Sequence, residues 1–222
     1  MGGSGRKFGD LPSPMSPGGG GSAAAVRDWR PMPLTTDTII KRIDASASTI
    51  AALREQADVI HRAGATIADC LRAGGKVLTC GNGGSAAEAM HLSEEMIGRY
   101  RDERPPLAAV CLNADPTALT CIANDFGFDA VFERQVRGLG KRGDVLVVFT
   151  TSGKSPNCVR ALEAARELGM TTIGLLGKGG GPCLPFCDVP LVVRSDDTAH
   201  IQESHQVVLH LLLEAVEAAA KV

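Results

Sequence analysis

The apolar positions of this chain change period partway along, and the change divides it. From Thr36 or Asp37, either of which suits a helix N-cap, Ile39, Ile40, Ile43, Ile50, Leu53, Val59 and Ile60 recur at helical spacing. A second helical run continues through Ile67 and Leu71 until Gly74-Gly75 stops it. Beyond that point the apolar residues fall into short runs over 76–80, 108–112, 145–150, 172–176 and 189–193, the length and make-up of buried strands. Helical patterns separate them: one after the glycines at 81–84 as far as about Ile97, one over 156–168 and one over 201–220. Strands alternating with helices require crossover connections, so the expected class is α/β, a five-stranded parallel sheet covered on both faces with extra helices in front.

Residues 1–35 read differently. They are rich in Gly, Pro and Ser, with an unbroken glycine run from Gly18 to Gly21. Such a stretch buries too little surface to offset its chain entropy, so it is expected to be a disordered tail ahead of one domain at 36–222. Composition narrows the function classes. With 222 residues and 44% hydrophobic content the chain can build one core, and 4% aromatic content makes that core aliphatic. A formal net charge of −2 gives no general case for nucleic acid as a partner. No apolar run reaches membrane-spanning length and the first residues lack the apolar core of a signal peptide, so a cytoplasmic protein is expected. The seven cysteines are an odd number within apolar segments and read as reduced, buried thiols. Cys183 and Cys187 make only a weak metal pair, because Pro185 intervenes and no second Cys/His pair lies near.

In open parallel sheets ligands bind beyond the carboxyl ends of the strands, and two unusual loops fall there. Cys80-Gly81-Asn82-Gly83-Gly84-Ser85 lets backbone approach a ligand and leads into a helix N-terminus that favours an anion. It fits a relaxed dinucleotide fingerprint, but Asn113 stands where the acidic ribose ligand belongs, so no nucleotide cofactor is expected. The second loop, Thr150-Thr151-Ser152-Gly153-Lys154-Ser155, offers four hydroxyls before a helix starting at Pro156, and suits a phosphate monoester. It is not an NTPase loop, because Val148 replaces the required first glycine. An ordinary turn is the plain alternative for either loop taken singly. Two polar sets remain. His91 and Glu95 share a helix face, as do Gln202 and His210, with His205 on the other flank. His91, Glu95, Gln202 and His210 can ligate zinc, or a Glu and a His can form an acid/base pair; spacing does not bring the helices together.

These motifs taken in order resemble phosphoheptose isomerase, a family of SIS-domain proteins. The resemblance rests on 80–85, Met90-His91 with Glu94-Glu95, Gly98-Arg99-Tyr100, Asn124-Asp125-Phe126-Gly127-Phe128, the loop at 150–155, and Ile201-Gln202-Glu203 with His205 and His210. It implies a flavodoxin-like three-layer sandwich, a homotetramer with active sites between subunits, and conversion of sedoheptulose 7-phosphate to D-glycero-D-manno-heptose 7-phosphate on the way to activated heptose. It further implies that Thr150, Thr151, Ser152 and Ser155 hold the phosphate, that Asn82, Gly83, Gly84, Glu95, Asn124, Asp125 and Gln202 line the sugar site, and that Glu95 and His210 move protons. His91, Glu95, Gln202 and His210 match the family's zinc ligands. Two positions depart from the pattern: Lys154 replaces the usual Asn, and His200 stands where the family has Arg before Ile-Gln-Glu. The alternatives are a related branch that binds a replication initiator without catalysis, and an isomerase of another phosphosugar.

Overall fold

The computed structural model describes residues 34–220, so all of the expected 1–35 tail except Leu34 and Thr35 lies outside the described residues. A compact unit begins at Thr36. Its helical front is α1 (Thr36–Ala51), a 3₁₀ turn at Ala52–Gln56, and α2 (Ala57–Arg72). The single long pattern therefore breaks once. The alternating part runs β1 (Val77–Gly81), α3 (Gly84–Ile97), β2 (Ala109–Cys111), α4 (Pro116–Phe126), α5 (Val131–Leu139), β3 (Val145–Thr150), α6 (Pro156–Glu167), β4 (Thr171–Gly177), β5 (Val189–Val193) and α7 (Thr198–Ala220).

All five strands are parallel, in the order β2-β1-β3-β4-β5. That order reverses direction between β1 and β3, and the crevice at such a switch point is where ligands bind. The period-two alternation of β3 separates the core into two layers. Val145, Val147 and Phe149 face one apolar cluster with Ile67, Leu92 and Leu209, whereas Leu146 and Val148 face another with Phe132 and Leu162. Helices thus cover both faces, which gives the three-layer arrangement.

Two helices are absent from the periodicity reading. α4 has only a short stripe, Leu119, Ile122 and Ala123, partly buried against the core. Its clearer mark is local: Asp115 caps it through the amides of Thr117 (2.8 Å) and Ala118 (3.0 Å) with Pro116 at its first position. α5 is only nine residues long. The last helix starts at Thr198 rather than Ile201, because Asp197 accepts the amide of Ala199 (2.8 Å) and closes an earlier first turn. Burial pushes the Cys183 thiol up to about 11 and the Cys187 thiol up to about 12, and the Cys187 thiol donates to the Cys183 carbonyl (3.3 Å).

At the foot of the sheet the Asp144 carboxylate, 3% exposed, accepts from the amides of Lys76 (2.9 Å) and Lys141 (2.8 Å) and pairs with the Lys76 ammonium. Burial works against this charge, but the bonds from Lys76 and Lys141 outweigh it and hold the carboxyl below its ordinary range. Its contribution to stability is therefore complete above the unfolded value of about 3.9 and is lost as pH falls from there through the lower folded value. Asp144→Asn is expected to cost about 2 kcal/mol at neutral pH and to flatten that part of the acid limb. Urea melts from pH 2 to 7 read both effects, and a parallel shift at every pH would contradict the assignment.

Candidate active site

Three chain segments converge at the switch point. After β1, Gly83 takes φ +58°, a left-handed conformation that glycine adopts at little cost, and turns the chain into α3. After β2, the Asn113 side chain exchanges two hydrogen bonds with the backbone of Gly81, donating to its carbonyl (2.9 Å) and accepting from its amide (3.1 Å). The residue in the dinucleotide acid's position is thus a structural amide. After β3 comes the hydroxyl loop, tied to the first loop by a reciprocal amide pair: Asn82 Nδ2 donates to Asn157 Oδ1 (3.0 Å) and Asn157 Nδ2 to Asn82 Oδ1 (2.9 Å). Asn157 is 1% exposed, a buried support behind the first loop that no motif announced.

Between these loops lies a cavity of about 260 Å³ lined by Asn82, Thr150, Thr151, Ser152, Ser155 and Gln202 among others. Thr150 Oγ1 accepts the Gly153 amide (3.2 Å) and Ser152 Oγ accepts the Lys154 amide (3.1 Å), which leaves both hydroxyl hydrogens to donate inward. Ser155 precedes α6 without making a capping bond, so its hydroxyl is also available. Gly84, Ser85 and Thr198 lie in the wall, so the N-terminal ends of α3 and α7 open onto the cavity, and α6 begins just after Ser155. Helix dipoles, loose amides and hydroxyls together favour a phosphate dianion. Thr198 was missed by the motifs; it accepts from Lys178 Nζ (3.2 Å), which brings a cation to the rim.

The second set sits further along the same two helices. His91 Nε2 lies 3.5 Å from Glu95 Oε1 and 4.0 Å from Glu94 Oε1. The His210 ring meets the His91 ring edge-on at 5.3 Å, and the Tyr100 ring stacks on His210 at 5.3 Å with 15° between planes. Burial lowers the His210 pKa below its usual value; the neighbouring His91 adds to this and Glu95 opposes it. Packing of α3 against α7 thus unites His91, Glu95 and His210, which spacing alone left apart.

Gln202 behaves differently. Its amide lies against Gly84 in the cavity wall, and the side chain that touches His91 is Gln206, at 2.6 Å from Nδ1. Asn124 and Asp125 stand exposed on α4, hydrogen-bonded to each other (2.8 Å), and are not among the residues lining the cavity. An apolar cavity of about 580 Å³ opens on the outer side of His91 and Glu94, between Met90, Ile97 and Val110 of the edge strand.

Known proteins agree with this geometry. A family model described as the SIS domain matches residues 43–177. A phosphoheptose isomerase of Campylobacter jejuni is 51% identical over 158 residues, 71% of this chain and 85% of its own. One from a Bradyrhizobium is 47% identical over 186 residues, 82% of this chain and 94% of its own. The solved phosphoheptose isomerase of Neisseria gonorrhoeae superposes with a TM-score of 0.78 at 39% identity, over 82% of this chain and 98% of that one. This chain belongs to the phosphoheptose isomerases, within the SIS-domain family.

Proposed function

We infer that the protein isomerises sedoheptulose 7-phosphate to D-glycero-D-manno-heptose 7-phosphate through an enediol, the first step toward activated heptose. The observation that carries this reading is the placement of the His91, Glu95 and His210 cluster and of the hydroxyl-lined cavity at different heights on the same two helices. From Ser85 to His91 the rise along α3 is about 9 Å. That separation suits a substrate whose phosphate and reacting carbons stand at opposite ends of a seven-carbon chain.

The residues divide the work accordingly. Thr150, Thr151, Ser152 and Ser155 hold the phosphate, with Asn82, Gly83, Gly84 and Gln202 beside the sugar. Glu95 takes the proton from C1 of the ketose and returns it to C2. His210, neutral at physiological pH, both donates and accepts, so it shuttles the proton between the oxygens on those carbons. Lys154 stands on the phosphate loop and adds positive charge there, and His200 occupies the first turn of α7.

Zinc is part of the proposal. His91 and Glu95 present ligand atoms within 4.8 Å, with Glu94 as a third, and His210 adjoins them. Gln202 joins the set only by turning its amide away from Gly84. Turning the Gln206 amide by 180° makes His91 Nδ1 the donor and frees Nε2 for a metal. Bound there, zinc would polarise the oxygens on C1 and C2. A carboxylate tightly held by zinc is a poorer base, so coordination by Glu95 is proposed to be loose.

The assembly is proposed to be a homotetramer with sites between subunits. α1 buries no residue and exposes Ile39, Ile40 and Ile43, and the apolar cavity beside His91 opens at the sheet edge. A neighbouring subunit on that edge would also give Asn124 and Asp125 a place in a sugar site. A cytoplasmic location is supported by the seven unpaired cysteines. Among the described residues no helix is long and apolar enough to cross a membrane.

Incubation with sedoheptulose 7-phosphate in D₂O tests the chemistry. Deuterium at the C2 position of a heptose 7-phosphate product is expected, and an unlabelled, unconverted ketose from protein supplied with zinc would refute the assignment. Protein stripped with a chelator is expected to keep part of the exchange; strict zinc dependence would overturn the loose coordination of Glu95.

A further inference from the structure

The turn between α3 and β2 has no regular structure, yet it is anchored on one buried carboxylate. Glu217, on the last turns of α7 and 4% exposed, accepts the amides of Tyr100 (3.1 Å), Arg101 (3.2 and 3.3 Å) and Asp102 (3.3 Å) and Nε of Arg104 (3.3 Å). Arg104 is equally buried, its side chain 5% exposed. It donates through Nη2 to the carbonyl of Glu95 (2.7 Å) and through Nη1 to those of Met96 (2.9 Å) and Pro105 (3.2 Å). The end of α3 is therefore capped by a guanidinium that is itself held by Glu217.

Burial opposes ionisation of Glu217, but the three amides and the Arg104 guanidinium outweigh it and hold the carboxyl below its usual range. Desolvating such a pair is costly, and an apolar pair of similar volume would serve stability as well or better. Its specific return is position. The amides it gathers fix Tyr100, whose ring lies on His210, while Arg101 extends over the outer face of Tyr100 (5.0 Å) and reaches Glu214 (3.0 Å).

We propose that Glu217 and Arg104 are positioning residues for the isomerisation: one buried ion pair sets the His210 ring through Tyr100 and the Glu95 turn through its carbonyl. The proposal rests on Glu95 and His210 being the proton-transfer pair. Neither Glu217 nor Arg104 touches the phosphate loop, so their loss should reach kcat before KM.

Glu217→Gln tests this, since it keeps the length but turns an NH₂ toward a set of donors. The expected result is a fall in kcat of about 10- to 100-fold, with KM for sedoheptulose 7-phosphate within about threefold of the parent. Tyr100 is the chain's single tyrosine, so the upfield ring-current shift of the His210 Cε1 proton, assigned by its loss in His210→Asn, reports the stack directly. That shift should disappear in folded Glu217→Gln. A folded variant with kcat within about threefold of the parent, or one that is slow with the His210 shift intact, overturns the proposal. Where Glu217→Gln does not fold, Tyr100→Ala and Tyr100→Phe replace it. Loss of rate and shift in Ala, mostly recovered in Phe, supports the clamp, and a parental rate in Ala overturns it. Absence of turnover in the parent would refute the isomerase reading alone. The His210 shift then decides the clamp, which is overturned if Glu217→Gln retains it.

Discussion

Glu95→Gln is expected to slow isomerisation by about 10²- to 10⁴-fold while binding of the phosphosugar stays close to that of the parent. The glutamine is nearly isosteric, and the Glu95 side chain is partly exposed (20%), so the packing of α3 against α7 should survive. What disappears is the carboxylate proposed to take a proton from carbon. His91 Nε2, 3.5 Å away, is the nitrogen proposed to hold zinc, so it is a poor replacement. The cavity proposed to hold the phosphate draws its hydroxyls from the segment after β3 and is untouched, so the loss belongs in kcat. Single-turnover conversion and deuterium incorporation at C2 should fall together, and calorimetric titration with substrate should give a similar Kd. A variant within about tenfold of the parent would move the base to Glu94 or His210. A variant that fails to bind would instead make Glu95 a sugar ligand.

The sequence made some of this legible and hid the rest for identifiable reasons. Buried parallel strands are continuous apolar runs, so β3 and β5 stand out to the residue, and the others differ by a residue or so at their ends. The loop at 150–155 and the helix that Pro156 starts are equally clear, because Ser155-Pro156 marks a helix start directly after an apolar strand. α4 shows periodicity only through a short, partly buried stripe at Leu119, Ile122 and Ala123, and its clearer signal is local: Asp115 before Pro116 is a cap and a first-turn proline. The union of His91 with His210 is a tertiary fact. Helical spacing puts Gln202 and Gln206 one turn apart on α7, and only packing decides that Gln206 meets His91 while Gln202 faces Gly84. Glu217 and Arg104 are more than a hundred residues apart. Each reads as an ordinary surface charge until the fold buries both.

Gly153→Ala should produce the largest defect on the binding side. Gly153 has φ +62°, where an L-residue costs about 1–2 kcal/mol. A β-carbon there would lie 1.9 Å from the Gly180 carbonyl oxygen and 2.4 Å from its carbon. Both are backbone atoms, and the turn they belong to is held by the bond from the Cys183 amide to the Gly153 carbonyl (3.0 Å). The clash cannot be relieved by rotating a side chain, so the loop must lift from β4, taking with it the Gly153 amide that Thr150 Oγ1 accepts. A loss of about 3 kcal/mol or more in unfolding free energy is expected. Displacing two of the loop's phosphate donors, each worth about 1–2 kcal/mol, should raise KM for sedoheptulose 7-phosphate by about 100-fold or more. Ser152→Ala removes one hydroxyl without moving the backbone, so it should raise KM only about tenfold and leave the urea midpoint near that of the parent. The contrast separates loop geometry from a single contact. Should folded Gly153→Ala bind substrate as tightly as Ser152→Ala, the phosphate would have to be held elsewhere, at the N-terminus of α3 or at Thr198.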